Sequence, residues 1–408
     1  MNFVFISPHF PDNYWRFCKG LKDNGVCVCG IADIPPENLP SNVRNSLSDY
    51  YWVHDLHNYE EKLRAIGYFI SRHGRIDFIE SNNEYWMDDD ARLRKDFNVT
   101  TGPQPDQVKY FRHKSLMKER YKEAGIRTAP YTLISTIEKA REFISQYHYP
   151  LCIKPDNGVG ASHTYKITNE RELEKFFTEK DPSLTYIMEP FVKGELISFD
   201  GVCDSKGNIV VPTHHVFPIQ VIDIKTRDKD CYYYTSKNIP AELIDAGQRV
   251  LHAFGAKSRF YHLEFFRLTE DQVSGKKGDL LGLEVNMRVP GGYTPDMIDF
   301  AYSIDIYKIW ADVMAFDENR EDLSKKKYYC AYVGRRFHNH YLHNWDEVLR
   351  TYHDKICFTK NNPSAITDDM GDYFFMAKFD TLEEVNAFFA YTLAHDPSYE
   401  DEDSLLQF

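Results

Sequence analysis

The sequence predicts an α/β (α+β) fold of two to three domains that opens on a parallel sheet. Three observations carry this. Short apolar strand segments alternate with helical ones over residues 1–103. Further on, two long strand segments, Arg259–Leu268 and Leu283–Arg288, place acids on an otherwise apolar background. At 408 residues the chain is also long for one core.

Taken in order, Phe3–Ser7 reads as a buried strand, and a helix follows from about Asp12 to Asn24. A second strand, Val26–Ile31, starts after Gly25, and Asp77–Glu80 makes a third. Strands separated by helices imply parallel pairing with helices on the sheet faces. No Gly-rich dinucleotide fingerprint occurs here. Glu84, in Ser81-Asn82-Asn83-Glu84-Tyr85-Trp86, reads as an acid at a helix start near Ser81.

Pro150–Pro155 is a short strand carrying Lys154. It runs into Asp156-Asn157-Gly158-Val159-Gly160-Ala161-Ser162-His163 and a second strand, Thr164–Ile167. Glycines let backbone N–H groups close around phosphate oxygens, and an ammonium supplies the countercharge. The segment is neither a P-loop nor a GxGxxG turn. Tyr186–Val192 is an apolar strand leading through Lys193-Gly194-Glu195 into another, Leu196–Cys203.

Thr213–Asn238 holds His214, His215, Lys225, Arg227, Lys229 and Tyr232–Tyr234. It fits either a polar surface hairpin or the border of an anion site. Ile239–Gly255 reads as a helix with Pro240 in its first turn and Gly255 past its end. Arg259–Leu268 and the strand from Leu283 are joined by a polar, Gly-containing connection, Thr269–Asp279, suited to a hairpin. Alternation in the second strand sends Leu283, Val285 and Met287 to a core and Glu284, Asn286 and Arg288 to the other face. Glu284 and Asn286 then offer oxygens about 7 Å apart along the strand, and pairing sets Glu264 beside them. An unpaired Glu in so apolar a strand is costly to bury, and a shared hard cation removes that cost.

The order of these pieces resembles the ATP-grasp superfamily, over residues 1 to about 320. The parts that carry the resemblance are the Lys-bearing segment Arg112–Tyr131, the Lys154 strand with its glycine loop, the Met188–Glu195 hinge, and Glu264 with Glu284-Val285-Asn286-Met287-Arg288. The match is to the branch resembling carbamoyl phosphate synthetase and biotin carboxylase, including carboxylate–amine ligases. It implies a pre-ATP-grasp domain at 1–103, an ATP-grasp domain at 104–320 with a mobile lid at about 112–188, and a C-terminal α+β subdomain at 321–408. It also implies ATP and Mg²⁺, or Mn²⁺ in its place, as cofactors. Lys114 and Lys154 would hold phosphates under a flap containing Gly158, Gly160 and Ser162. The Pro190 carbonyl and Val192 N–H would meet the adenine edge, Glu189 and Glu195 the adenine amine or ribose hydroxyls, and Met188 and Phe266 the ring faces. Glu264, Glu284 and Asn286 would bind the metal, and Arg288, with Lys154, would act on the reacting groups. Glu84 falls where relatives carry an acid facing the cleft. The flap departs from the usual form: many relatives place a Ser between their glycines, where this chain has Val159.

The implied activity is a ligase that converts a carboxylate to an acyl phosphate and passes the acyl group to an amine. Bicarbonate activation and a catalytically silent ATP-binding protein are the alternatives. The expected partners are small-molecule carboxylates and amines, with a homodimer also compatible. A formal charge of −13 argues against broad nucleic-acid or anionic-membrane binding. No apolar run approaches the roughly 20 residues of a membrane span. No basic signal segment is evident, and eight cysteines without a CxxC pair read as reduced thiols, so a cytoplasmic setting is expected. Cys27 and Cys29 share a strand face. The tail predicts strands at Tyr328–Val333 and Tyr373–Phe379 and a helix over about Thr381–Ala394. Its His338, His340 and His343 do not match a zinc-ligand spacing.

Overall fold

The computed structural model describes residues 1–158, 163–219, 224 and 229–398. Strands β1 (Asn2–Ile6), β2 (Cys27–Ala32), β3 (Asp49–Trp52) and β4 (Phe78–Glu80) form a wholly parallel sheet in the order β3-β2-β1-β4. β1 and β2 are nearly continuous in apolar residues because helices cover both faces. Helices Trp15–Asp23 and Ile306–Phe316 pack on one face, where Phe17 and Trp310 meet at 5.1 Å between ring centroids. Helix Tyr59–His73 packs on the other, capped by Asn58 and ended by Gly74 at φ 84°. Glu80 ties this domain to the rest of the chain. It accepts from Arg94 at 2.9 Å and from Arg259 at 3.0 Å.

The short strand β5 (Arg127–Thr128) leads into a separate antiparallel sheet of β6 (Thr132–Ile134), β7 (Leu151–Pro155), β8 (Tyr165–Ile167) and β9 (Tyr186–Pro190), ordered β6-β9-β7-β8. Helices Ile137–Tyr147 and Glu170–Glu179 cover one face, and Leu151, Ile153, Tyr186 and Met188 point into that small core. By the two-residue period, Cys152, Lys154 and Glu189 emerge on the opposite face.

A nine-stranded sheet follows, ordered β16-β17-β15-β12-β11-β10-β13-β14-β5. Its members are β10 (Gly194–Cys203), β11 (Ile209–Phe217), β12 (Cys231–Ser236), β13 (Arg259–Leu268), β14 (Leu280–Asn286), β15 (Tyr329–Arg335), β16 (Ile356–Asn361) and β17 (Tyr373–Phe379). The ladder is unbroken between β12 and β15, so the C-terminal strands continue the central sheet across residue 320. Helix Ala241–Ala253 lies on one face, with Pro240 as its N-cap rather than in its first turn. Helix Thr294–Tyr302 lies on the other. The region from Thr213 to Asn238 is no surface hairpin in its described part. His214, His215 and Thr235 are buried within the sheet, and Tyr233 donates to or accepts from Thr294 Oγ1 at 2.9 Å. Lys225 and Arg227 lie outside the described residues.

The expected β13–β14 hairpin is present, with Glu264 directly opposite Glu284 and His262 opposite Asn286. Leu283 departs from its expected core position. The register skips from Glu264–Glu284 to Phe265–Gly282, which leaves Leu283 as the extra residue of a bulge. Alternation therefore resets, and Leu281 and Glu284 come to share the face of Phe266 and Glu264.

Candidate nucleotide and metal site

The polar face of the β6–β9 sheet stands over β13 and β14, and a cavity lies between them. Its walls include Ala129, Cys152, Pro190, Phe191, Val192, Leu196, Phe266, Leu281 and Leu283, with Lys114, Lys118, Lys154, Glu189, Glu264 and Glu284 at the charged end. An apolar slot closed by convergent charges suits a flat heteroaromatic ring that carries an anionic tail.

The lysines are held in fixed places. Lys154 Nζ lies 2.8 Å from one oxygen of Glu189, and Lys118 Nζ lies 2.5 Å from the other. Burial alone would push the Glu189 carboxyl up, but the two ammonium groups hold it at about 2. Burial pushes Lys154 down, but Glu189 reverses this and keeps it above the ordinary lysine value. Lys118 ends below it, because burial there outweighs Glu189. Lys114 is the first residue of helix Lys114–Glu123. Asp156, just past Lys154, accepts from Ser115 N at 2.7 Å and from Ser115 Oγ at 3.0 Å, an anion at a helix N-terminus. That cap locks the Lys114 helix to the Lys154 strand, and Lys114 Nζ donates to the Gly158 carbonyl at 3.1 Å.

Glu264 and Glu284 face each other across the hairpin, close to Lys114, whose Nζ is 3.4 Å from Glu284 Oε1. Burial and the neighbouring Glu264 raise the Glu284 carboxyl, and Lys114 only partly offsets them. Glu264 stays below the ordinary range despite burial, because His262 bonds it at 3.0 Å. His262 also bonds Asp200, whose other oxygen lies 2.6 Å from His215 Nδ1. Burial opposes the charge on His262, but Asp200 and Glu264 raise it to about 10. Two carboxylates with the Asn286 amide form an all-oxygen donor set, which fits a hard divalent cation better than a soft one.

Arg288 lies near Glu264 and Glu284. Its Nη2 lies 2.6 Å from Glu84 Oε2, and its Nη1 donates to the Val289 carbonyl at 2.9 Å. Glu84 is buried at the start of a short 3₁₀ turn, near enough to Glu284 to help raise its carboxyl.

No family model matches the sequence. The chain is 24% identical over 249 residues to the L-arginine-specific L-amino acid ligase of Bacillus subtilis, covering 59% of this chain and 58% of that one. It is 25% identical over 198 residues to the carbamoyl phosphate synthase large chain of Thermotoga neapolitana, covering 46% of this chain and 17% of that one. The chain thus spans under two thirds of the length of either relative. The solved L-amino acid ligase from Bacillus licheniformis superposes with a TM-score of 0.71 over 95% of both chains, at 15% identity. The chain has the ATP-grasp fold.

Within this ATP-grasp frame, the structure gathers Lys114, Lys154, Pro190, Val192, Phe266, Glu264 and Glu284 around one cavity, with Gly158 at its rim through Lys114. Asn286 sits beside them on the hairpin face, opposite His262. Three expectations differ. Met188 is fully buried in the core of the β6–β9 sheet, because its neighbour Glu189 takes the cavity side and alternation turns Met188 away. Glu195 is exposed on the reverse face of β10, because Leu196 takes the cavity side. Glu189 lines the cavity, but both its oxygens are engaged by lysines rather than presented to a ribose or adenine. Gly160 and Ser162 lie outside the described residues. Lys118, Cys152, Ala129, Leu196 and Leu281 were not singled out in the sequence. Of these, Cys152 and Lys118 were within reach: Cys152 is two residues from Lys154 on one strand, and Lys118 is one helical turn beyond Lys114. His338 and His340 are exposed, and His343 stacks on Tyr391 at 3.6 Å between rings. Among the described residues, no helix is long and apolar enough to cross a membrane.

Proposed function

We propose that the protein is an ATP- and Mg²⁺-dependent ligase that activates a carboxylate as an acyl phosphate and joins it to an amine through a new C–N bond. The observation that carries this reading is the placement of Lys114 and Lys154 opposite Glu264 and Glu284 at the charged end of one apolar slot. In the reading, the slot walls Cys152, Phe266, Leu281 and Leu283 hold the adenine ring, and the hinge at Pro190–Val192 borders its polar edge. Lys114 and Lys154 neutralise phosphate oxygens. Glu189 and Lys118 keep Lys154 in place before any nucleotide arrives. Glu264, Glu284 and Asn286 hold Mg²⁺, which when bound spreads the charge developing on the phosphate oxygens. Phosphoryl transfer needs mainly such positioning and charge neutralisation.

No nucleophilic side chain is required. The substrate carboxylate attacks the terminal phosphorus of ATP and ADP leaves. The amine then attacks the acyl carbon, phosphate departs, and the amine loses a proton. Arg288, anchored by Glu84, supplies a fixed cation for the substrate carboxylate and then for the acyl phosphate. The L-arginine-specific and other amino acid ligases among the similar proteins favour an amino acid as the amine.

The test is a screen for ADP release across carboxylic acids, each with and without an amino acid, followed by mass identification of the product. An amide product with stoichiometric ADP supports the reading. ADP release driven by bicarbonate alone would favour the carboxylase alternative, and no release with any acid–amine pair would leave a nucleotide-binding protein.

A further inference from the structure

At the opposite end of the first sheet from Glu84, Cys27 and Cys29 leave one face of β2, two residues apart. Asp49 opens β3 directly opposite Cys29, and helix Tyr59–His73 ends against the same place. One ligand atom from each of Cys27, Cys29 and His73 lies within 4.8 Å of the other two. Among the described residues, no other group of three Cys, His, Asp or Glu side chains converges this closely. Both thiols are free. Cys29 is fully buried, whereas Cys27 and His73 are only partly covered, so the cluster has a solid floor and an open mouth.

Asp49 would support His73 as a metal ligand through Nδ1. His73 Nε2 lies 2.7 Å from Asp49 Oδ2, and Arg72 Nε holds the same oxygen at 3.0 Å. A carboxylate that takes one ring N–H fixes the tautomer and leaves the other nitrogen with its lone pair, the usual outer support of a metal-bound imidazole. Zinc bonds to sulfur at about 2.3 Å and to nitrogen at about 2.0 Å, so its ligand atoms stand under about 4 Å apart. A bound ion would draw the three ligand atoms, now within 4.8 Å of one another, to that spacing.

We propose that Cys27, Cys29 and His73 bind one Zn²⁺, with a water in the fourth position at the open mouth. Loading replaces the two thiol protons by two Zn–S bonds and releases both protons, so two thiolates balance the dication. The Asp49 charge is already matched by Arg72. The sulfur–nitrogen donors select a softer cation than the all-oxygen set around Glu264 and Glu284. The site lies at the N-terminal ends of the parallel strands, whereas the cleft residues Ser81–Glu84 follow the C-terminal end of β4. The bound ion is therefore a structural clamp joining β2, through His73, to the end of helix Tyr59–His73.

The experiment is a Co²⁺ titration of the reduced, chelator-stripped full chain. One equivalent should produce a thiolate-to-cobalt charge-transfer band and the intense visible bands of tetrahedral cobalt, and Zn²⁺ should displace both. Zn²⁺ should also raise Tm in a concentration-dependent manner and protect two thiols from a disulfide reagent. Cys27→Ser, at a partly exposed position, should remove the charge-transfer band or weaken binding at least about 10-fold, and Asp49→Asn should weaken it by about 10-fold. Glu284→Gln should leave the cobalt spectrum unchanged, which separates this site from the proposed magnesium site. The proposal is overturned if no charge-transfer band forms, if the band survives both Cys27→Ser and Cys29→Ser, or if the two thiols are found joined as a disulfide that no Zn²⁺ prevents.

Discussion

Glu84 and Arg288 stand 204 positions apart in the chain, yet their Oε2 and Nη2 atoms meet at 2.6 Å. The pair joins the turn that follows the first sheet to the second residue past β14. It also sets the guanidinium near Glu264 and Glu284. Glu84 accepts through its backbone carbonyl from Arg112 as well, at 2.8 Å, so its own position is fixed. Glu84→Gln keeps the shape and removes the charge that holds Arg288. Loss of one charge-assisted bond should raise KM for the carboxylate substrate about 10- to 100-fold, with ATP affinity little changed. An unaltered carboxylate KM in steady-state kinetics would reduce the pair to a purely structural tie.

Lys154 is expected to meet phosphate rather than base. Lys154→Ala should weaken ATP about 10- to 100-fold while adenosine binding barely moves. Calorimetry with both ligands decides this, and equal weakening of the two would remove Lys154 from the phosphate site.

Glu264→Gln, Glu284→Gln and Asn286→Asp change charge with little change in shape. Each should cut turnover by about 10-fold or more and, for the two Glu variants, raise the Mg²⁺ concentration that gives half-activity, since ligands of a bound cation act through its occupancy. Wild-type magnesium titrations in all three would show an ordinary polar strand face.

Acid stability should report on Glu189. Its folded carboxyl sits at about 2 against an ordinary 4.5. A depressed carboxyl contributes stability above its unfolded value and loses that contribution as pH falls through the folded one. Between about pH 5 and pH 2 the wild type should therefore lose stability with a steeper slope than Glu189→Gln. Parallel slopes in denaturant titrations across that window would contradict the Lys118–Glu189–Lys154 arrangement.

Met188 should behave as core. Met188→Ala should cost about 2–5 kcal/mol, the range for large-to-small changes at buried sites. Met188→Leu should leave ATP affinity intact. A selective loss of adenosine binding in the Leu variant would instead put Met188 against the ring.

The expected hairpin shows where local reading works. The alternation of Glu284 and Asn286, and the matching Glu264, follow from a two-residue period that any strand obeys, and the register bears it out. Leu283 shows where it stops. A bulge is a choice made by two paired strands together, so one strand's pattern carries no mark of it. Met188 and Glu189 illustrate a related limit. Alternation says that neighbours face opposite ways, and only packing against helices Ile137–Tyr147 and Glu170–Glu179 says which of the two faces inward. The Asp156 cap on the Lys114 helix has no local signal either, because its partners are 41 residues away.

Local sequence carries β1, β2 and β4, the parallel character of their sheet and the paired acids of β13 and β14, but it carries neither β3 nor β16, whose places only the assembled sheets reveal. The strands rest on periodicity and the Lys154 loop on glycine placement and charge, whereas Lys114 enters only through the resemblance to the ATP-grasp superfamily. Tertiary structure alone decided the partners. It paired Lys154 and Lys118 with one Glu189, Arg288 with Glu84, and His262 with Asp200 and Glu264. A buried charge is stable only beside its complement, and that complement is brought there by the packing of elements far apart in the chain.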